Sequence, residues 1–143
     1  MASKLKLDEA YLQICQTWSK LSTAKRKQVG CIIVKNGAII SDGYNGTPQG
    51  FDNSCEYEDK NGVLVTKREV LHAESNAITK LAKSTHSSIG STMYITINPC
   101  IECAKLIIQS QIAEVIYKDF YKNKEGINLL QKANIKINKY EYK

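Results

Sequence analysis

Histidine is almost missing from this sequence: His72 and His86 are the two present among 143 residues. An imidazole at the point where a charged stretch becomes apolar-periodic, as His72 is in EVLHAESNAI, therefore asks for a reason. Long hydrophobic runs are missing too. No stretch approaches the roughly 18 apolar residues that suggest a membrane span, so no membrane association is expected. The first residues, MASKLKLDEAYLQICQTW, lack the apolar core and small-residue cleavage site of a secretory signal, and the expected location is the reducing cytoplasm. There the five cysteines, an odd number, are read as core residues or metal ligands and not as a disulfide framework. No internal repeat, linker or low-complexity segment divides the chain, and its length suits one domain over residues 1–143.

What is present is ordinary for a globular protein: 43% hydrophobic and 24% charged residues. The formal charge of +6 raises the question of nucleic acid, but the positive residues are scattered, and nucleic acid is not the expected partner. Lys25, Arg26 and Lys27 form one cluster. A small anionic ligand would want one or two such groups; Lys25 and Lys27 are expected to be solvated.

Leu7, Ala10, Tyr11, Ile14, Cys15, Trp18 and Leu21 are spaced like one face of a helix over 7–22, with Asp8 and Glu9 at its favourable start. Two β-branched runs, Val29–Val34 and Ala38–Ile40, flank Lys35-Asn36-Gly37, whose Asn-Gly pair predicts an antiparallel hairpin. Residues 47–68 read as a long loop of the functional or mobile kind. A helix from Val70 to Leu81, a strand TMYITI, a helix PCIECAKLIIQSQ with Pro99 at its first position, a strand AEVIYK, a short helix KEGINLLQKAN and a last strand IKINKYEY follow. Alternation of strand and helix calls for parallel pairing in this half, so the fold class is α/β with a mixed sheet of about five strands and an N-terminal antiparallel hairpin.

Cys100 and Cys103, three residues apart, share one face of their helix. Near its N-terminus the helix dipole stabilises thiolates, the form a metal binds. His72 opens the other helix, and if both preceding segments run the same way the two helix starts meet at one sheet edge. One imidazole and two thiolates then converge on a single zinc ion, leaving a fourth tetrahedral position for water, and Glu74 stands beside it as a proton carrier.

His72-Ala73-Glu74 with Pro99-Cys100-Ile101-Glu102-Cys103 fits H-x-E…P-C-x-x-C, the signature of zinc deaminases, in which the glutamate is not a ligand. The combination resembles the cytidine and deoxycytidylate deaminase superfamily. VGCIIVKNGAIISDGYNGTPQG is similar to the first two strands of the dCMP deaminases with their G-Y/W-N-G loop, and MYITINPCIECAKLIIQSQIAEVIY to their zinc helix and following strand. Residues 7 to about 136 are covered. The resemblance implies a three-layer α-β-α cytidine deaminase-like fold, one catalytic Zn²⁺ per subunit held by His72, Cys100 and Cys103, and hydrolysis of dCMP to dUMP and ammonia with Glu74 catalytic. It also implies that the Ala73 N–H holds the pyrimidine carbonyl, that Asn45 contacts the nucleoside, and that Arg26, Lys118 or Tyr121 meets the phosphate. Gly43-Tyr44-Asn45-Gly46 would serve a site for dCTP, an activator bringing the only Mg²⁺, and dTTP, an inhibitor. A homo-oligomer, often a hexamer, is implied as well.

Cys15 and Cys31 read as small core residues. Cys55 lies in the long loop, where some relatives place a second zinc, but a closed site needs four ligands that this sequence does not assemble. Two other functions stay open. A deaminase of tRNA adenosine would use the basic surface but is expected to carry an arginine-bearing loop in place of Gly43–Gly46. A zinc-stabilised binding module would have no use for Glu74.

Overall fold

Asn36 and Gly37 both adopt positive φ, 50° and 76°, the backbone of a tight turn whose twist matches that of the strands it joins. This hairpin lies near the start of the computed structural model, which describes residues 2–142. In chain order the elements are α1 (Lys4–Ser19), β1 (Gly30–Lys35), β2 (Ala38–Tyr44), β3 (Glu56–Glu58), β4 (Leu64–Thr66), α2 (Ala73–Leu81), β5 (Thr92–Ile97), α3 (Ile101–Gln109), β6 (Glu114–Asp119), α4 (Glu125–Lys132) and β7 (Lys136–Lys139).

The main sheet has the order β2-β1-β5-β6-β7. β1 is antiparallel to both β2 and β5, whereas β5, β6 and β7 run parallel, the mixed arrangement expected from the sequence. Successive side chains alternate across the pleat. Cys31, Ile33, Met93, Ile95, Val115 and Tyr117 pack with α2, α3 and α4 on one face; Ile32, Val34, Tyr94 and Ile116 pack with Leu12 and Cys15 of α1 on the other. These three layers bury Ile32, Ile33, Ile95 and Ile107 completely, each stabilising the fold by about 1.5–3 kcal/mol relative to exposure. No helix among the described residues is long and apolar enough to cross a membrane.

Several boundaries differ from expectation. α1 begins at Lys4, not Leu7, because Ser3 caps it, its Oγ accepting the Lys6 N–H at 3.2 Å. Asp8 is consequently no first-turn charge. It is buried, accepting the Tyr94 hydroxyl at 2.6 Å and the Lys4 ammonium at 3.0 Å, while Leu7 and Leu21 are exposed. Residues 47–68 are not wholly loop, since β3 and β4 pair antiparallel from Glu56↔Thr66 to Glu58↔Leu64. Gly62 at φ 76° makes the turn, and Asp59 Oδ1 accepts the N–H groups of Asn61 and Val63 there. α2 starts at Ala73, later than Val70, and Pro99 precedes the N-cap of α3 instead of standing at its first position.

Candidate active site

Two helix starts lie side by side at the end of the sheet. His72 is the N-cap of α2 and Cys100 the N-cap of α3. His72 is placed by its neighbour: Leu71 exchanges two backbone hydrogen bonds with Gly46, of 2.8 and 3.0 Å. Two glycines let other elements close on the helix starts. A Cβ on Gly43 of β2 would stand 2.5 Å from the Ala73 carbonyl oxygen, and one on Gly126 of α4 would collide with the Pro99 and Cys100 backbone.

His72 Nδ1 consequently lies 3.2 Å from Cys103 Sγ and 3.4 Å from Cys100 Sγ, and the three donor atoms all fall within 4.8 Å of one another. A tetrahedral zinc with bonds of about 2.0–2.1 Å to nitrogen and 2.3 Å to sulfur sets such donors roughly 3.6 Å apart. The two nitrogen–sulfur separations are within a few tenths of an ångström of that arrangement, and imidazole with two thiolates is a donor set suited to zinc. Hydrogen bonding from Cys103 holds the Cys100 thiol far down, at about 3, while Cys103 is raised by the same contact. Metal binding to thiols requires their deprotonated form, so an ion held by this pair would release protons from it. The hydrogen bond to Cys100 raises the His72 pKa against desolvation.

Glu74, in the first turn of α2, is 4% exposed. Burial pushes its carboxyl up to about 7, where a group both takes and gives protons near neutral pH. It borders a cleft of about 190 Å³ whose other charged side chains are Arg26, Lys27, Glu56 and Lys122.

The remaining expected residues divide. Ala73, Asn45, Arg26 and Tyr121 line the cleft. Asn45 is also a structural pin, its Oδ1 accepting the Val29 N–H at 2.9 Å and its Nδ2 donating to the Lys27 carbonyl at 2.8 Å. Arg26 Nη1 donates to Thr66 Oγ1 at 3.0 Å. Lys118 is not in the cleft: alternation along β6 turns it toward α1, where its Nζ donates to Gln16 Oε1 at 3.2 Å. Gly43 lies under α2, and Tyr44 is exposed with its carbonyl accepting from Asn76 Nδ2 at 2.8 Å. Of the four-residue motif, Asn45 alone lines the cleft.

Lys27, expected to be solvated, faces this cleft. The reason is the turn of chain that Glu56 fixes, its Oε2 accepting the N–H groups of Lys25 and Arg26 at 2.8 and 2.9 Å. Sequence reasoning also missed Thr66, Asn98 and Lys122; only Lys122 carried a signal, standing next to Tyr121. Cys15 and Cys31 are core residues, as expected, whereas Cys55 is buried at the cleft wall.

The family described as "Cytidine and deoxycytidylate deaminase zinc-binding region" matches residues 5–119. The chain belongs to this family. Within it, the deoxycytidylate deaminase of Enterobacteria phage T4 is 34% identical over 88% of this chain and 86% of that protein. The crystal structure of dCMP deaminase from cyanophage S-TIM5 in complex with dCMP and dUMP is 41% identical, with a TM-score of 0.88 over 96% of this chain and 99% of that one. A structure from work on tRNA:A34 deaminases is 18% identical with a TM-score of 0.54, a likeness of fold alone.

Proposed function

We propose that this chain is a zinc-dependent hydrolase that converts dCMP to dUMP and ammonia, supplying dUMP for thymidylate synthesis. The observation carrying this reading is the trio of His72, Cys100 and Cys103 beside a buried glutamate in one cleft. The likeness to the cyanophage enzyme, crystallised with dCMP and dUMP, supports the choice of substrate.

His72, Cys100 and Cys103 would hold one Zn²⁺ per subunit, and that ion supplies Lewis-acid activation of water for attack on the amine-bearing ring carbon. Glu74 takes a proton from the water and passes it to ring N3 as the hydroxyl adds to the ring carbon, then takes the remaining proton of that hydroxyl and passes it to the exocyclic amine, so that the carbonyl forms and ammonia leaves. Its pKa near 7 suits both directions of transfer. The Ala73 N–H holds the pyrimidine carbonyl. Asn45 keeps one amide hydrogen free of its two structural bonds and meets the nucleoside, while Arg26 and Tyr121 face the phosphate.

In this reading residues 1–143 act as one cytoplasmic deaminase domain, assembled as a homo-oligomer. Gly43-Tyr44-Asn45-Gly46 adjoins a nucleotide site at which dCTP with Mg²⁺ activates and dTTP inhibits. Ammonia release from dCMP, deoxycytidine and tRNA, with and without the two triphosphates, tests the reading. The expected result is rapid use of dCMP, slow use of deoxycytidine and none of tRNA. A preference for tRNA would overturn it, and dCMP turnover indifferent to both triphosphates would remove the regulation alone.

A further inference from the structure

Part of the cleft wall is held in place differently from the rest of the molecule. Cys55, Glu56, Thr66 and Val70 line the cleft, and all four come from the segment that carries the β3–β4 hairpin. Those two strands form a sheet of their own. Among the described residues, neither hydrophobic cluster takes a member from positions 41–72. Tyr57 and Val63 of the hairpin are exposed, and Leu64, Val65 and Thr66 are half-buried.

Hydrogen bonds to one short stretch, residues 23–26, hold this segment down. Thr23 Oγ1 donates to the Asn53 carbonyl, Glu56 Oε2 accepts the N–H groups of Lys25 and Arg26 at 2.8 and 2.9 Å, and Arg26 Nη1 donates to Thr66 Oγ1 at 3.0 Å. The Glu56 carboxylate is the strongest of these ties, because its hydrogen bonds are charge-assisted. At the base of the segment Gly46 and Leu71 exchange two backbone hydrogen bonds. Lys67 pairs with Asp52 at 3.5 Å, and its N–H meets the Cys55 carbonyl at 2.8 Å, so the hairpin moves as one piece. A segment held by hydrogen bonds without buried apolar area opens locally, far below the cost of global unfolding.

The cleft needs such an opening. Its volume is about 190 Å³, below the roughly 300–1,000 Å³ of sites that enclose small molecules. The helix starts carrying His72 and Cys100 cannot draw back to enlarge it. A Cβ on Gly43 would already stand 2.5 Å from the Ala73 carbonyl oxygen and one on Gly126 2.1 Å from that of Pro99. We propose that residues 47–70 form a flap, hinged at the Gly46–Leu71 pairing, which parts from residues 23–26 to admit substrate and release product, and that Glu56 is the positioning residue that latches it. The inference rests on the deaminase reading above for the identity of that substrate.

The test uses a lock. Thr23 Oγ1 lies 3.5 Å from Cys55 Sγ, so a thiol introduced by Thr23→Cys is within reach of a disulfide to Cys55. Reduced Thr23→Cys should turn over dCMP like the parent. Oxidised with diamide, and shown by mass to hold the bridge, it should lose on the order of tenfold or more in kcat/KM and recover with dithiothreitol. The parent and Thr23→Cys/Cys55→Ser, taken through the same oxidation, should not show that reversible loss. Hydrogen exchange of the unliganded parent reads the motion without turnover: β3–β4 amides should exchange on the order of a hundredfold faster than those of β1 and β5. Binding of dUMP should slow them. Glu56→Ala should speed them further, with Glu56→Gln, which keeps an acceptor oxygen, in between. A bridged protein as active as its reduced form overturns the flap, and so do hairpin amides as slow as those of β5. A parent inactive on dCMP overturns the deaminase reading, and the exchange of its hairpin amides still decides the motion.

Discussion

Replacing Gly43 by alanine adds one methyl group at the tightest contact between β2 and the start of α2. The new Cβ would stand 2.5 Å from the Ala73 carbonyl oxygen, 2.8 Å from the Ala77 nitrogen and 3.2 Å from Asn76 Cβ, where ordinary contact begins at 3.4 Å. The first two neighbours are backbone, so α2 itself must retreat. It is not free to slide, because the Ser41 hydroxyl bonds the Ala77 carbonyl at 2.6 Å and Lys80 pairs with Asp42 at 2.6 Å. Overpacking of this kind costs about 1–3 kcal/mol. A retreat of roughly 1 Å carries His72, Ala73 and Glu74 with it, and misplacing catalytic groups by that much lowers rates on the order of a hundredfold. Urea unfolding, zinc content and kcat/KM for dCMP, measured together on Gly43→Ala, should show all three effects. Gly46→Ala supplies the contrast, since no atom lies within 4 Å of its Cβ position and its stability should stay within about 0.5 kcal/mol of the parent. A Gly43→Ala protein as stable and as active as the parent would refute the packing role, leaving that glycine to serve a ligand only.

Cys100→Ser, Cys103→Ser and His72→Ala should each lose zinc together with activity; metal analysis showing any of them fully loaded contradicts the assigned ligands. Burial raises the Cys15 thiol from its ordinary 9.0 to about 12, so a neutral thiol is built into the fold. That contribution is fully present below pH 9.0 and is lost as pH rises toward about 12. The urea midpoint of the parent should therefore fall more steeply over that window than the midpoint of Cys15→Ala, and identical slopes would contradict it.

The pattern legible in the sequence is the one that local chemistry dictates. Asn36-Gly37 demanded positive φ, the strands of the second half alternated with helices, and His72 with the cysteine pair named a donor set whose meeting needs only two helix starts at one sheet edge. Other features depend on partners distant in sequence. Asp8 looked like a helix-start charge, but the Tyr94 hydroxyl gives it a buried role that its neighbours do not announce. Lys27 looked like any surface lysine, but Glu56, distant in sequence, fixes the turn before it. Asn98 sits at the end of an apolar strand, and its importance lies in carbonyls of a loop that only the fold brings near. The β3–β4 hairpin was hidden by strands of three residues each, too short for alternation to show.

Ammonia release from dCMP by a Glu74→Gln variant of measured zinc content tests the proposed chemistry most directly. Glutamine keeps the size of the side chain and removes its capacity to carry protons. About one zinc per chain should remain, with turnover lowered by a factor on the order of 10²–10⁴ or more, because one carboxyl serves several steps. Turnover within a few-fold of the parent at full zinc loading would contradict the role given to Glu74 and the mechanism built on it.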